Sequence, residues 1–194
     1  MIKAIIFDFF GVIQADPYER WLNRHGLKRE GPYAEAADIM DRGRITRPEF
    51  YERLSEISGQ SLDKIQSDFS EGIALDGSLV EFIKTLSSRY KIGLLSNSRS
   101  DYLRPILAEN GITDLFNTAV ISSEAGFIKP DPAIFRLSLE NMAVQPYEAV
   151  FVDDKIYNTE AAEALGIYSV LYRDLASLKE DLHGLGITAL PPGQ

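Results

Sequence analysis

Four stretches of this 194-residue chain carry groups that can do chemistry, and three of them do so where an apolar run stops. The run from Ile2 to Phe7 ends on Asp8, Lys91 to Leu95 leads to Ser96 and Asn97, and Ala149 to Val152 ends on Asp153 and Asp154. Lys129 stands in a fourth stretch, a Lys-Pro-Asp-Pro loop. Three carboxylates brought together would repel one another and raise their own pKa values, so they require a bound metal or a nearby lysine. Cysteine is absent, and His25 and His183 have no partners at ligand spacing, which leaves an oxygen-only donor set and points to Mg²⁺. A magnesium ion, a lysine, a hydroxyl and backbone N–H groups together make a site for a phosphoryl group, with Asp8 placed as the nucleophile.

These residues are far apart in sequence, so strands must gather them. Ile5, Ile6 and Phe7 suit a strand buried on both faces, as in the middle of a parallel sheet. Right-handed crossovers put the C-terminal ends of such strands on one edge, where open α/β sheets bind ligands. From Asp76 onward helix and strand patterns alternate, which signals an α/β sheet. Ser78 and Glu81 predict a helix start, followed by strands over 91–95, 117–121, 149–152 and 168–172. Helices are expected near Asp101 with Pro105 close to the start, after Asp131 as N-cap, through Ala161 and Leu165 to Gly166, and over 177–182. The Pro191-Pro192-Gly193-Gln194 tail reads as loose.

Residues 14–76 read as helices only. Asp16-Pro17 starts one, 33–41 forms a second, and Thr46 with Glu49 has capping-box spacing for a third that Gly59 stops. Leu62, Ile65, Phe69 and Ile73 stripe a fourth. The expected organisation is therefore an α/β core formed by residues 1–13 and 77–194, with a helical cap of residues 14–76 inserted after the first strand.

A formal net charge of −9 and a pI near 4.8 argue against nucleic acid and anionic membrane surfaces as partners. Without cysteine, disulfides, thiolate metal sites and thiol catalysis are excluded. No apolar run reaches the ~18 residues of a membrane span, and Asp8 interrupts what would be a signal-peptide core, so the expected location is cytoplasmic. The sequence carries no signal for oligomeric state. An anionic substrate needs local cations: Arg99 follows Ser96 and Asn97 closely enough to touch one, whereas Arg42, Arg44 and Arg47 read as a solvated turn face.

In combination the four stretches resemble the motifs of the haloacid dehalogenase superfamily: Phe7-Asp8-Phe9-Phe10-Gly11-Val12, Leu95-Ser96-Asn97, Lys129-Pro130-Asp131-Pro132, and Val152-Asp153-Asp154 with Asn158. The Gly43-Arg44-Ile45-Thr46 and Glu49-Phe50 pattern is similar to a branch with a small helical cap that contains sugar-phosphate phosphatases. The resemblance implies a Rossmann-like parallel sheet with an inserted α-helical cap, and hydrolysis of small phosphorylated metabolites. It further implies an aspartyl-phosphate on Asp8 and Mg²⁺ held by Asp8, the Phe10 backbone carbonyl and Asp154, with Asp153 in support. Ser96 and the Asn97 backbone would bind the phosphoryl oxygens, and Lys129 would neutralise nucleophile and phosphoryl charge.

The chain departs from that pattern at one position. The family's phosphatases usually carry a second aspartate two residues after the nucleophile, and here that residue is Phe10. Loss of a general acid forfeits about 10²–10⁴ in rate, which predicts slow turnover and least damage with leaving groups that depart as anions. Two other readings stay open. A non-catalytic or regulatory phosphate-binding protein would keep the same binding residues. A 2-haloacid dehalogenase needs no leaving-group proton and could use Phe9, Phe10 and Trp21 as an apolar lining, although Asp153 and Asp154 argue against it.

Overall fold

β1 (Ala4–Phe7) lies at the centre of a five-stranded parallel sheet, between β2 (Lys91–Ser96) and β4 (Ala149–Asp153), with β3 (Thr118–Ile121) and β5 (Tyr168–Leu171) outermost. The computed structural model describes residues 1–188, so the 191–194 tail lies outside the described residues. All four residues of β1 are buried, and they alternate between two apolar layers. Ile5 and Phe7 pack with α5 (Gly77–Ser87), α6 (Ser100–Glu109) and α10 (Leu175–Gly184), through Leu79, Ile83, Leu103, Leu107, Leu178 and Leu182. Ala4 and Ile6 pack with α8 (Pro132–Met142) and α9 (Ile156–Glu163), through Ile134, Phe135, Leu139 and Ala162. Burial on both faces is what allows strands this apolar.

The chain builds β1, β2 and β3 outward in one direction, then crosses back to place β4 on the other side of β1. The strand order therefore reverses between β1 and β4, the place where open α/β sheets form a ligand crevice. Phe7 pairs with both Leu94 and Val152, so Asp8, Leu95 and Asp153 lie at one level across the ligand edge of the sheet.

Between β1 and α5 run α1 (Pro17–Arg24), α2 (Pro32–Asp41), α3 (Arg47–Ser58) and α4 (Leu62–Ser70). They enclose a separate apolar cluster of Tyr18, Trp21, Leu22, Ala36, Ala37, Phe50, Tyr51, Leu54 and Ile65. Asp16 caps α1 by accepting from the N–H groups of Tyr18 and Glu19, and Thr46 and Glu49 form a reciprocal capping box on α3. A short α7 (Ser122–Ala125) follows β3 directly.

Three local expectations differ from what is found. α5 is capped by Asp76, whose carboxylate accepts from Leu79 N–H, rather than by Ser78. Ile73 falls beyond the end of α4, and Leu62 is exposed, so the buried stripe of that helix reduces to Ile65 with Phe69 packed against the cluster. Pro105 is the sixth residue of α6, past the first turn with its free N–H groups, and costs the helix one internal hydrogen bond.

Candidate active site

Lys129 lies between two of the strand-tip carboxylates. Its Nζ is 2.8 Å from Asp8 Oδ1 and 2.7 Å from Asp153 Oδ2, and all three side chains are buried. Burial alone would pull the lysine pKa down, but Asp153 and Asp8 outweigh it and hold the ammonium form above its ordinary range. Asp8 is pushed well up by burial, with Asp153 and Asp154 acting the same way and Lys129 opposing. Lys129 beside Asp8 and Asp153, with Lys155 beside Asp154, gives two lysines to three carboxylates and leaves the site short of positive charge.

Asp153 is fully committed to the protein. Oδ1 accepts from Lys155 N–H at 2.8 Å and Asn158 Nδ2 at 3.0 Å, and Oδ2 accepts from Lys129. Its neighbour Asp154 is not. Asp154 Oδ1 is buried without a hydrogen-bond partner, and Oδ2 meets Lys155 Nζ at 3.2 Å. Burial raises the Asp154 pKa, with Lys155 opposing. Both contacts to Asp8, from Lys129 and from Phe9 N–H, use Oδ1, so Oδ2 takes none among the described residues. Asp8, Asp153 and Asp154 each present a carboxylate oxygen within 4.8 Å of the others. An orphaned buried carboxylate oxygen, a free one on Asp8 and an all-oxygen donor set fit a hard divalent cation such as Mg²⁺. Gly11 makes the arrangement possible: its φ is +91°, and a Cβ there would lie 2.5 Å from the Asp154 carboxylate.

At the tip of β2, Ser96 Oγ is buried without a partner. Asn97 has a task that its place in the sequence did not suggest, because its side chain grips the backbone of Lys129. Lys129 N–H donates to Asn97 Oδ1 at 2.7 Å, and Asn97 Nδ2 donates to the Lys129 carbonyl at 3.0 Å. The Arg99 guanidinium is occupied by Asp101, at 2.9 and 2.6 Å, and by the carbonyl of Ile45 at 2.6 Å. It thus ties the start of α6 to the link between α2 and α3.

One cavity joins Asp8, Phe10, Asn97, Arg99, Lys129, Asp154 and Asn158 on the sheet side to Asp16, Arg29, Asp41, Arg47 and Tyr51 on the helical side. Arg47 is exposed, as the solvated reading of the turn arginines has it, but it also lines the cavity. It sits over the rings of Tyr102 at 4.7 Å and Tyr51 at 5.8 Å, and no carboxylate lies within ion-pair distance among the described residues. Of the three aromatics considered as an apolar lining, Phe10 alone faces the cavity. Phe9 is in the sheet core and Trp21 in the helical cluster. Asp41, Arg29, Lys155 and Tyr102 were not singled out by their spacing. Asp41 and Arg29 reach the cavity from the helical segment that lies over the strand tips, whereas Lys155 follows directly on β4 and Tyr102 belongs to α6.

This geometry accompanies a family match. The model of the haloacid dehalogenase-like hydrolases matches residues 2–166, most of the chain. The chain belongs to this family. It has full-length relatives among phosphatases. It is 26% identical over 203 residues to the D-ribitol-5-phosphate phosphatase of Bacteroides thetaiotaomicron, covering 94% of this chain and 97% of that one. It is 24% identical to the fructose-1-phosphate phosphatase YqaB of Escherichia coli, covering 86% and 94%. Other relatives are longer: the chain spans 36% of drimenol cyclase drtB from Aspergillus calidoustus, at 28% identity. Among solved structures, a family enzyme from B. thetaiotaomicron in complex with magnesium and inorganic phosphate superposes with a TM-score of 0.69 at 22% identity, over 92% of this chain and 99% of that one. The L-2-haloacid dehalogenase of Xanthobacter autotrophicus superposes with a TM-score of 0.66 at 20% identity, over 97% and 85%. Among the described residues no helix is long and apolar enough to cross a membrane.

Proposed function

We propose that this chain is a Mg²⁺-dependent phosphohydrolase acting on small phosphorylated metabolites through an aspartyl-phosphate on Asp8. The observation that carries the reading is the pair of uncommitted carboxylate oxygens, Asp8 Oδ2 and Asp154 Oδ1, beside a lysine that holds Asp8 by its other oxygen. Asp8, Asp154 and the Phe10 carbonyl would hold the ion, with Asp153 in support through Lys129, Asn158 and the Lys155 N–H. When bound, the ion would neutralise phosphoryl charge and hold the substrate against Asp8. Lys129 fixes the rotamer of Asp8 and screens the approach of an anionic phosphoryl group. Asp8 attacks phosphorus, the bond to the leaving oxygen breaks, and water later attacks the phosphorus of the aspartyl-phosphate to release inorganic phosphate and free Asp8. Ser96 Oγ and the Asn97 N–H are the donors nearest in sequence for the phosphoryl oxygens, and the four helices of residues 14–76 act as the cap that closes over them. Relatives active on ribitol 5-phosphate and fructose 1-phosphate support a polyol or sugar phosphate as substrate.

Phe10 favours a second reading, phosphate binding with negligible turnover, because its ring has no proton to give. A dehalogenase is disfavoured: Asp153 and Asp154 bring two further carboxyl groups up to Asp8, and only one of the three candidate aromatics faces the cavity. Hydrolysis of p-nitrophenyl phosphate and acetyl phosphate with and without Mg²⁺, by the native protein, Asp8→Asn and Phe10→Asp, tests the choice. Mg²⁺-dependent turnover that disappears in Asp8→Asn supports the phosphohydrolase. Turnover that begins only with Phe10→Asp supports binding alone.

A further inference from the structure

If the chain is a phosphohydrolase, the proton that Phe10 cannot supply has to come from elsewhere on the cavity wall. Phe10 is fixed away from that task, stacked on Tyr102 with ring centroids 5.9 Å apart and edge-on to Phe9 at 4.9 Å. Most other proton carriers on the wall are engaged. Lys129 is shared by Asp8 and Asp153. Lys155 lies between Asp154 and Glu19, and although burial pulls its pKa down, these two push it up to about 12, too high to release a proton readily. Tyr18 donates its hydroxyl to the Tyr33 carbonyl, and burial pushes its phenol upward. Burial raises the Asp16 pKa, with Arg29 opposing, but both of its oxygens are engaged: Oδ1 accepts from the N–H groups of Tyr18 and Glu19 at the start of α1, and Oδ2 lies 3.7 Å from Arg29.

Asp41 differs from all of these. It is the last residue of α2, and only its Oδ2 takes a hydrogen bond, from Arg29 Nη2 at 3.0 Å. Oδ1 takes none among the described residues, and the side chain lines the same cavity as Asp8. Arg29 is shared, with Asp16 at 3.7 Å and Glu19 at 3.9 Å as well, so one guanidinium faces three carboxylates. Burial pushes the Asp41 pKa up to about 7, with Asp16 and Asp38 adding to it and Arg29 opposing. The end of α2 is also pinned to the strand tips. The Asp41 carbonyl accepts from Ser122 Oγ, which itself accepts from Ser98 N–H, two residues beyond Ser96. Gly43 packs so tightly on Ser123 that a Cβ would lie 2.8 Å from the serine Cβ.

We propose that Asp41 is the general acid and base of this enzyme. As Asp8 attacks, the electron pair of the breaking P–O bond passes to the leaving oxygen, which takes the proton of the Asp41 carboxylic acid and departs as an alcohol. Asp41, now a carboxylate beside Arg29, then accepts a proton from the water that attacks the aspartyl-phosphate, restoring the acid and freeing Asp8. This assignment rests on the phosphohydrolase reading and accounts for an acid arriving from the helical side rather than from the nucleophile's own loop.

The test uses two esters of nearly the same shape, p-nitrophenyl phosphate and phenyl phosphate, of which only the second needs a proton on its leaving oxygen. The full chain with Mg²⁺ is expected to cleave both, and Asp41→Asn is expected to widen the ratio of their kcat/KM values at least about ten-fold. With phenyl phosphate the native protein loses rate as pH rises through about 7, and Asp41→Asn lacks that limb. Asp41→Glu, which keeps a carboxyl, narrows the ratio again and covers the case in which the asparagine variant fails to fold. A ratio that stays at the native value in Asp41→Asn, or that Asp41→Glu leaves wide, overturns the assignment while the phosphohydrolase stands. A native protein that releases phosphate from neither ester nor from acetyl phosphate overturns both.

Discussion

Asn97 binds Lys129 through both backbone groups of the lysine, accepting its N–H at 2.7 Å and donating to its carbonyl at 3.0 Å. The tip of β2 thereby sets where the ammonium of a distant loop enters the site. Asn97→Ala removes both bonds and is expected to lower kcat roughly 10–100-fold with a much smaller change in KM, since the loss is one of position rather than of substrate contact. Stability should fall by about 1–2 kcal/mol, because the Lys129 N–H and carbonyl lose their partner. Steady-state kinetics and urea unfolding of the variant check both; a KM effect as large as the kcat effect would place Asn97 on the substrate instead.

Lys129 is the only cation in contact with Asp8 and Asp153 among the described residues, and both carboxylates are buried. Lys129→Met leaves two buried negative charges facing each other and should cost about 3–5 kcal/mol in urea unfolding. Saturating Mg²⁺ is expected to recover more stability in the variant than in the native protein, because the ion then supplies charge that the ammonium no longer does. Equal Mg²⁺ stabilisation of the two proteins would argue that no cation binds beside Asp8.

The strand-tip half of the site was legible in the sequence because its positions are set in one dimension. A buried parallel strand has to deliver its next residue to the ligand edge, so the cluster of Asp8, Asp153 and Asp154 follows from where apolar runs stop, while Ser96 at the tip of β2 is fully buried and does not line the cavity. The Lys129 loop was readable from its own composition. Asp41, Arg29 and Arg47 were not, because their place depends on how four short helices turn their faces toward the sheet. Asp16 and Asp41 look the same in sequence as any aspartate at a helix end. Phe9 and Phe10 were read together as an apolar lining, but they are adjacent residues following a strand and take opposite environments, one in the core and the other on the cavity wall. The position of the Asp76 cap could be mistaken because Ser78 with Glu81 offers the same spacing two residues later.

Gly11 holds space for Asp154. Its backbone is in the left-handed region at φ +91°, and any Cβ would overlap the carboxylate at 2.5 Å. Gly11→Ala should therefore cost about 1–3 kcal/mol in backbone strain and also turn Asp154 away from Asp8. Mg²⁺ affinity measured by titration calorimetry is expected to fall about 10–100-fold, as for other changes that misorient a ligand. Native affinity in Gly11→Ala would show that Asp154 has no part in holding the ion.

Asp41 should also be visible in the pH dependence of stability. Its ordinary pKa is 3.8, and burial, with Arg29 opposing, brings it to about 7 in the folded protein. Between these values the folded chain keeps a proton that the unfolded chain releases, so folding takes up a proton and the contribution to stability declines as pH rises. It is fully present below about pH 4 and lost once pH passes about 7, a difference of a few kcal/mol by the usual relation between pKa and free energy. Asp41→Asn cannot titrate, so its unfolding free energy should stay flatter than that of the native protein across this window. Urea unfolding of both proteins at pH 5, 6, 7 and 8 gives the comparison, and parallel curves would mean that Asp41 is ionised throughout and has no proton to lend.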